Sequence, residues 1–160
     1  MKKNILLVAL LVASTYLTGC ASVPMGTPED DAARKKFTPP SSGMSGLYIY
    51  RNSNFGSALK KSIYVDGNFI GESAPMTYFY KEVKPGKHKL STESEFSENH
   101  LSIFTKPNRN YFFRQYIKFG VFVGGANIEP KTEDVGRRGV LECKLAKELK
   151  SKPIAKNEDL

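Results

Sequence analysis

From residue 46 to residue 119 the chain is a succession of short aromatic and β-branched runs, each closed by residues that turn the backbone. Leu47-Tyr48-Ile49-Tyr50-Arg51 comes first. Ser62-Ile63-Tyr64-Val65 and Phe69-Ile70-Gly71-Glu72 then flank Asp66-Gly67-Asn68. Asp-Gly between apolar runs is a strong hairpin signal, because glycine accepts the positive φ of a tight turn. Thr77-Tyr78-Phe79-Tyr80-Lys81-Glu82-Val83 leads into Lys84-Pro85-Gly86-Lys87, where Pro presets φ and Gly supplies the reversal into His88-Lys89-Leu90-Ser91-Thr92. Leu101-Ser102-Ile103-Phe104, the turn at residues 106–110 and the long run 111–119 complete the series. In that last run Tyr111, Phe113, Gln115, Ile117 and Phe119 alternate with a set that includes Arg114 and Lys118, so one face is buried and one is wet. Turns at intervals of about 8–12 residues predict a mainly β protein, an antiparallel β-sandwich of about seven strands.

Past this series the pattern changes. In residues 132–149, Leu141, Leu145 and Leu149 stand four apart, a helical stripe, and Thr132 with Glu133-Asp134 forms an N-terminal start. One C-terminal amphipathic helix against the sheet is expected, weakened in its first turns by Gly136 and Gly139, with 150–160 as a disordered tail. The folded domain is placed at 46–149.

The N-terminus carries an address. A basic start at Lys2-Lys3 precedes nine apolar residues, 5–13, and a zone of mostly small ones. This is the pattern of a secretory signal peptide, and the apolar run is shorter than the roughly 20 residues a membrane span needs. Leu17-Thr18-Gly19-Cys20 then resembles the lipobox of bacterial lipoproteins. The resemblance implies cleavage between Gly19 and Cys20, a diacylglyceryl group on the Cys20 thiol and acylation of its new amine. Several acyl chains on one residue anchor stably where one does not. Ala21, rather than Asp, follows the cysteine, which implies an outer-membrane protein facing the periplasm of a Gram-negative host. Residues 1–19 are thus read as the leader. Residues 20–45, rich in Pro, Ser, Gly and charge, are read as a lipidated flexible tether of about 25 residues reaching roughly 25–30 Å.

Charge and cysteine count narrow the partners. The full chain has a net charge of +8 and stays basic without Lys2 and Lys3, but its cations are scattered in pairs. Anionic lipid, lipopolysaccharide and peptidoglycan carboxylates are compatible partners, while export argues against nucleic acid. With Cys20 lipidated, Cys143 has no partner within the chain and is expected to be buried as a small apolar residue.

The order of aromatic strand ending in Arg51, Val65-Asp66-Gly67, Ile70-Gly71-Glu72, aromatic strand and Pro85-Gly86-Lys87-His88 resembles an uncharacterised lipoprotein family, domain of unknown function 2846. More loosely, it is similar to PEGA-type surface β-sandwich modules. Asn110-Tyr111-Phe112-Phe113-Arg114-Gln115-Tyr116 continues the resemblance, which covers residues 46–146. These motifs are turn chemistry, so they imply a sandwich and carry no activity. Residues 119–127 are more apolar and glycine-rich than the family pattern.

Catalytic chemistry is hard to find. His88 and His100 alternate with Glu93, Glu95 and Glu98 without metal-ligand spacing. No Gly-x-Ser-x-Gly occurs, and the glycines at 120, 124 and 125 lack the Lys-Ser/Thr of a phosphate loop. No cofactor is expected. Tyr48, Tyr50, Tyr64, Tyr78, Tyr80 and Tyr116 are the candidate binding face, although tyrosine also suits half-buried strands. The expected role is a non-catalytic binding or accessory domain with an envelope protein partner. A module for glycan, peptidoglycan or lipid is the alternative, and a periplasmic enzyme ranks last. A protein dock should be flat and apolar. A glycan site should be a groove with aromatic rings and fringing Asn, Arg or Glu.

Overall fold

The computed structural model describes residues 21–94, 98–120 and 124–150. The leader at 1–19 and the tail beyond residue 150 lie outside them. Nine strands lie in two sheets among the described residues. They are β1 (Ser45–Arg51), β2 (Lys61–Val65), β3 (Asn68–Ser73), β4 (Thr77–Val83), β5 (Gly86–Glu93), β6 (Glu98–Thr105), β7 (Arg109–Lys118), β8 (Gly125–Lys131) and β9 (Lys144–Leu145). Helix α1 (Pro28–Arg34) precedes them, and α2 (Glu133–Leu141) falls between β8 and β9. One sheet has the order β8-β7-β1-β4-β9 and the other β3-β2-β5-β6. The expected sandwich is present, with a mixed rather than antiparallel first sheet: β1 pairs β7 in parallel, as β4 pairs β9.

The interior between the sheets follows from alternation. Leu47, Ile49, Phe79, Phe113 and Ile128 of the first sheet meet Ile63, Val65, Ile70 and Leu90 of the second. The intervening residues of the first sheet, Tyr48, Tyr50, Tyr78 and Phe112, point the other way and are also buried, beneath Phe37, Val140 and Cys143. The molecule therefore has three layers, and its first sheet is the middle one. Gln115 links the sheets across the interior. It is 1 % exposed, donates from Nε2 to Thr92 Oγ1 at 2.7 Å, and accepts from the Ser73 hydroxyl.

Two expectations are corrected here. Residues 21–44 are not a loose tether: they form a strap over the outer side of the first sheet. Val23 and Phe37 are buried, Met25 bridges to Ala146, and the Gly26 N–H donates to Leu145 O at 2.9 Å. Thr27 caps α1 by accepting from the Asp30 N–H, with Pro28 in the first turn, and Asp31 Oδ1 accepts from the Leu145 N–H at 2.9 Å. Polar composition concealed a segment whose few apolar residues and backbone groups find partners far along the chain.

The helix is also shorter than the leucine spacing implied. It ends at Leu141, which is 55 % exposed, and the chain then lies along the edge of β4. Lys144 N–H donates to Met76 O and Ala146 N–H to Tyr78 O, pairing an edge that a longer helix would leave bare. The buried side of α2 is Gly136, Gly139 and Val140. A Cβ on Gly136 would stand 2.2 Å from Phe112, and one on Gly139 2.2 Å from the Tyr50 ring. The glycines cost helix propensity and permit close approach.

Two outcomes follow from this packing. An alanine in place of an exposed helical glycine stabilises by up to about 1 kcal/mol, whereas Gly139→Ala should destabilise by about 2 kcal/mol in urea unfolding, because the buried Tyr50 ring has to move. At Asp31, burial pulls the carboxyl upward, but hydrogen bonds from Lys35, Tyr78 and the Leu145 N–H outweigh it and hold the group below its ordinary 3.8. A folded value below the unfolded one stabilises above the unfolded value and is lost as pH falls through the folded one. Below pH about 4 the strap should become a site of pepsin cleavage, and Asp31→Asn should expose it to proteases already at neutral pH.

Candidate functional site

The six tyrosines do not form one open face. Tyr48, Tyr50 and Tyr78 are buried under the strap and α2. Tyr48 Oη donates to Arg34 O at 2.8 Å, and burial pushes its phenol up to about 12. Tyr80 is half-buried, with the Arg34 guanidinium 4.1 Å from its ring centroid and its hydroxyl on Glu82. Tyr64 sits on the other sheet against Phe69, and Tyr116 accepts from Asn127 near the far end of β7. Tyr48, Tyr50, Tyr78 and Tyr80 thus hold the middle sheet to its outer cover, while Tyr64 and Tyr116 contact neighbours within their own sheets.

Gly19 and Cys20 lie outside the described residues, as do Glu95 and Val121-Phe122-Val123. Cys143 is buried at 1 % exposure as expected, and its burial pushes the thiol up to about 12. His88 bridges Asp66 Oδ2 and Lys84 O, each at 2.7 Å, at the foot of a hairpin, and His100 Nδ1 meets Ser91 Oγ at 2.8 Å. Among the described residues no three His, Cys, Asp or Glu side chains converge as metal ligands would.

A different place has the character of a binding site. Where β7 begins, under the first turn of α2, lies a cavity of about 440 Å³. Its apolar walls are Phe37, Pro39 and Tyr111, and its polar ones are Asn108, Arg109, Asn110, Glu133 and Arg137. Each side chain has a local reason for its position. Phe37, within the strap, stands at φ 53°, which turns the chain and buries the ring against Tyr48 and Phe112. Asn108 takes the left-handed conformation asparagine tolerates, at φ 59°, and its Oδ1 accepts from the Gly43 N–H. Asn110 Nδ2 donates to Phe37 O and Thr38 O, at 3.3 and 3.0 Å, in space left by Gly46. Arg137 lies over the Phe37 ring, 5.2 Å from its centroid, and pairs with Glu133 one turn before it.

Two buried atoms here, Asn110 Oδ1 and Arg137 Nε, have no hydrogen-bond partner among the described residues. Both are enclosed in the wall, Asn110 Oδ1 against Gly46, so they are packing costs of the cavity's rim and not contacts open to a ligand. The sequence reading missed this site because residues 106–110 carry a turn signal, and a turn explains Pro107-Asn108 without any ligand. The repeated Asn-Arg-Asn at 108–110 was the available clue.

Two packed sheets, capped by a strap and a helix and bearing a polar cavity at one end, define a small β-sandwich module. A family model described as "Protein of unknown function (DUF2846)" matches residues 41–126, and the chain belongs to that family. The chain is similar to an "Uncharacterized protein" of Haemophilus influenzae (strain ATCC 51907 / DSM 11121 / KW20 / Rd), 52 % identical over 138 residues covering 86 % of this chain and 82 % of the relative. No solved structure matches.

In a Cys20→Ala variant, where Cys143 is the sole thiol, an alkylating reagent should leave the native protein unlabelled at mildly alkaline pH and label it fully in denaturant. Fast native labelling would show that the α2–β9 connection opens.

Proposed function

We propose that this chain is an outer-membrane-anchored periplasmic lipoprotein whose β-sandwich is a non-catalytic binding and accessory domain. The anchor reading rests on Leu17-Thr18-Gly19-Cys20 after a basic start and a short apolar run. The binding reading rests on one observation, the cavity at the start of β7 with aromatic walls and a fringe of Asn108, Arg109 and Arg137.

The composition of that cavity favours a glycan of the envelope over a flat protein dock. Aromatic rings at Phe37 and Tyr111 suit the apolar face of a sugar. Asn108, whose Oδ1 is held by the Gly43 N–H, offers its Nδ2 to hydroxyl or acetamido groups. Arg109 and Arg137 match carboxylates, which the peptide arms of peptidoglycan carry. The position is consistent as well. Ala21, one residue past the anchor, is bonded to Ser57 in the loop after β1, whereas the cavity lies at the opposite end of β1 and β7. A strand of ten residues is about 30 Å long, so a ligand there is met on the side away from the anchor.

Calorimetric titration with soluble disaccharide–peptide fragments of peptidoglycan tests the ligand. Binding should weaken at least about tenfold in Arg137→Ala and in Arg109→Ala, the loss of about 1.4 kcal/mol expected for a charged hydrogen bond, with unfolding midpoints close to the native one. Fragments that bind neither the native protein nor the variants would end the glycan reading and return attention to a protein partner. Cys20→Ala should abolish incorporation of an acyl label and release the protein from the membrane fraction.

A further inference from the structure

Where the strap begins, the surface carries two aromatic rings that a monomer does not need. Ala21 N–H donates to Ser57 O at 3.0 Å, in the loop between β1 and β2. In the same loop Phe55 is 47 % exposed, and Phe119, just past β7, is 89 % exposed. Their rings meet edge to face with centroids 5.0 Å apart. The loop beneath them is held firmly. The Arg51 side chain, fully buried, donates to the carbonyl oxygens of Phe55, Gly56 and Leu59 at 3.0, 2.7 and 2.7 Å. Gly56 packs on Ile117 and Leu59. The pair is thus displayed on a fixed platform, with Lys60 and Lys118 also exposed at that end.

We infer that Phe55 and Phe119 form a membrane-docking surface whose rings enter the interfacial zone of the leaflet that holds the lipid on Cys20. The inference rests on the lipoprotein reading. Its physical basis is distance. Consecutive Cα atoms are about 3.8 Å apart, so acyl chains on Cys20 enter the bilayer one residue from Ala21, which is itself fixed to this loop. Lipid is therefore the apolar phase nearest to both rings, and aromatic side chains favour the interface between headgroups and acyl chains. Lys118 suits anionic headgroups, while Lys60 is paired with Glu72 at 3.4 Å. The contact adds a second, non-covalent attachment and sets the orientation of the sandwich, with the polar cavity pointing away from the membrane.

The chain contains no tryptophan, so Phe119→Trp supplies a single reporter. The full-length acylated variant is reconstituted into vesicles containing lipids brominated at defined acyl depths. Phe104→Trp serves as the control, because Phe104 is 64 % exposed and lies beside Thr105 and Lys106, where Ser45 begins β1 at the opposite end. Phe119→Trp should show blue-shifted emission and at least about twofold quenching by shallow bromines, and Phe104→Trp should show neither. Mass spectrometry of the same sample reads acylation of Cys20 independently. An acylated Phe119→Trp protein whose emission matches the control overturns the docking surface and leaves the anchor standing. An unacylated protein overturns both. Unquenched emission together with a protein crosslinked through this pair in cells assigns the rings to a protein partner, and the inference falls.

Discussion

Every residue of β1, from Ser45 to Arg51, is buried, and this two-sided burial governs the rest of the molecule. A strand buried on one side needs only a facing sheet. A strand buried on both needs a cover for its outer side chains as well, here Tyr48 and Tyr50. The second sheet supplies the first cover. The strap and α2 supply the other, and each is shaped by that duty: Phe37 packs on the stacked pair of Tyr48 and Phe112, and two glycines bring α2 down onto the rings. The cavity at the start of β7 is a product of the same arrangement, since it opens where strap, helix and sheet end meet.

Polar groups inside this body are placed where they fix geometry. Gln115 bonds to both Ser73 and Thr92 of the facing sheet, so a slip of either strand would break bonds at a buried site and expose an apolar set. Arg51 is a buried charge with three carbonyl partners, its Nε alone unpartnered among the described residues, and it ties down the connection between β1 and β2. The tyrosine hydroxyls act similarly, as Tyr48 reaches Arg34 O. Side chains that resemble binding residues in the sequence thus serve as clamps, while the cavity draws on asparagines and arginines in a turn.

Much of the sandwich was legible because alternation and turn chemistry are local properties. Asp66-Gly67 marks the β2–β3 hairpin, with Asp66 at φ 53° and Gly67 at φ 77°, and Pro85-Gly86 marks the passage from β4 in one sheet to β5 in the other. What escaped was non-local. The parallel pairing of β1 with β7 joins segments distant in the chain, and no local pattern encodes it. Leu141, Leu145 and Leu149 are four apart, yet the open edge of β4 recruits residues 144–146 as strand. The strap has too few apolar residues to show a period, and its order depends on Leu145 and Asn110, far along the chain. The candidate cavity was hidden for the same reason, being assembled from residues near 37, 109 and 135.

The strap also has a consequence for how the chain acquires its structure. The bond between Asp31 and the Leu145 N–H spans 114 residues. The segment synthesised first therefore depends on a seat that exists only where β9 lies along β4. Closing so long a loop is entropically slow, and contacts of this separation lower folding rates. Without that closure the outer side of the first sheet, with Tyr48, Tyr78 and Phe112, stands uncovered. The surface made by the middle of the chain is thus covered only where the chain's own beginning comes back to close it.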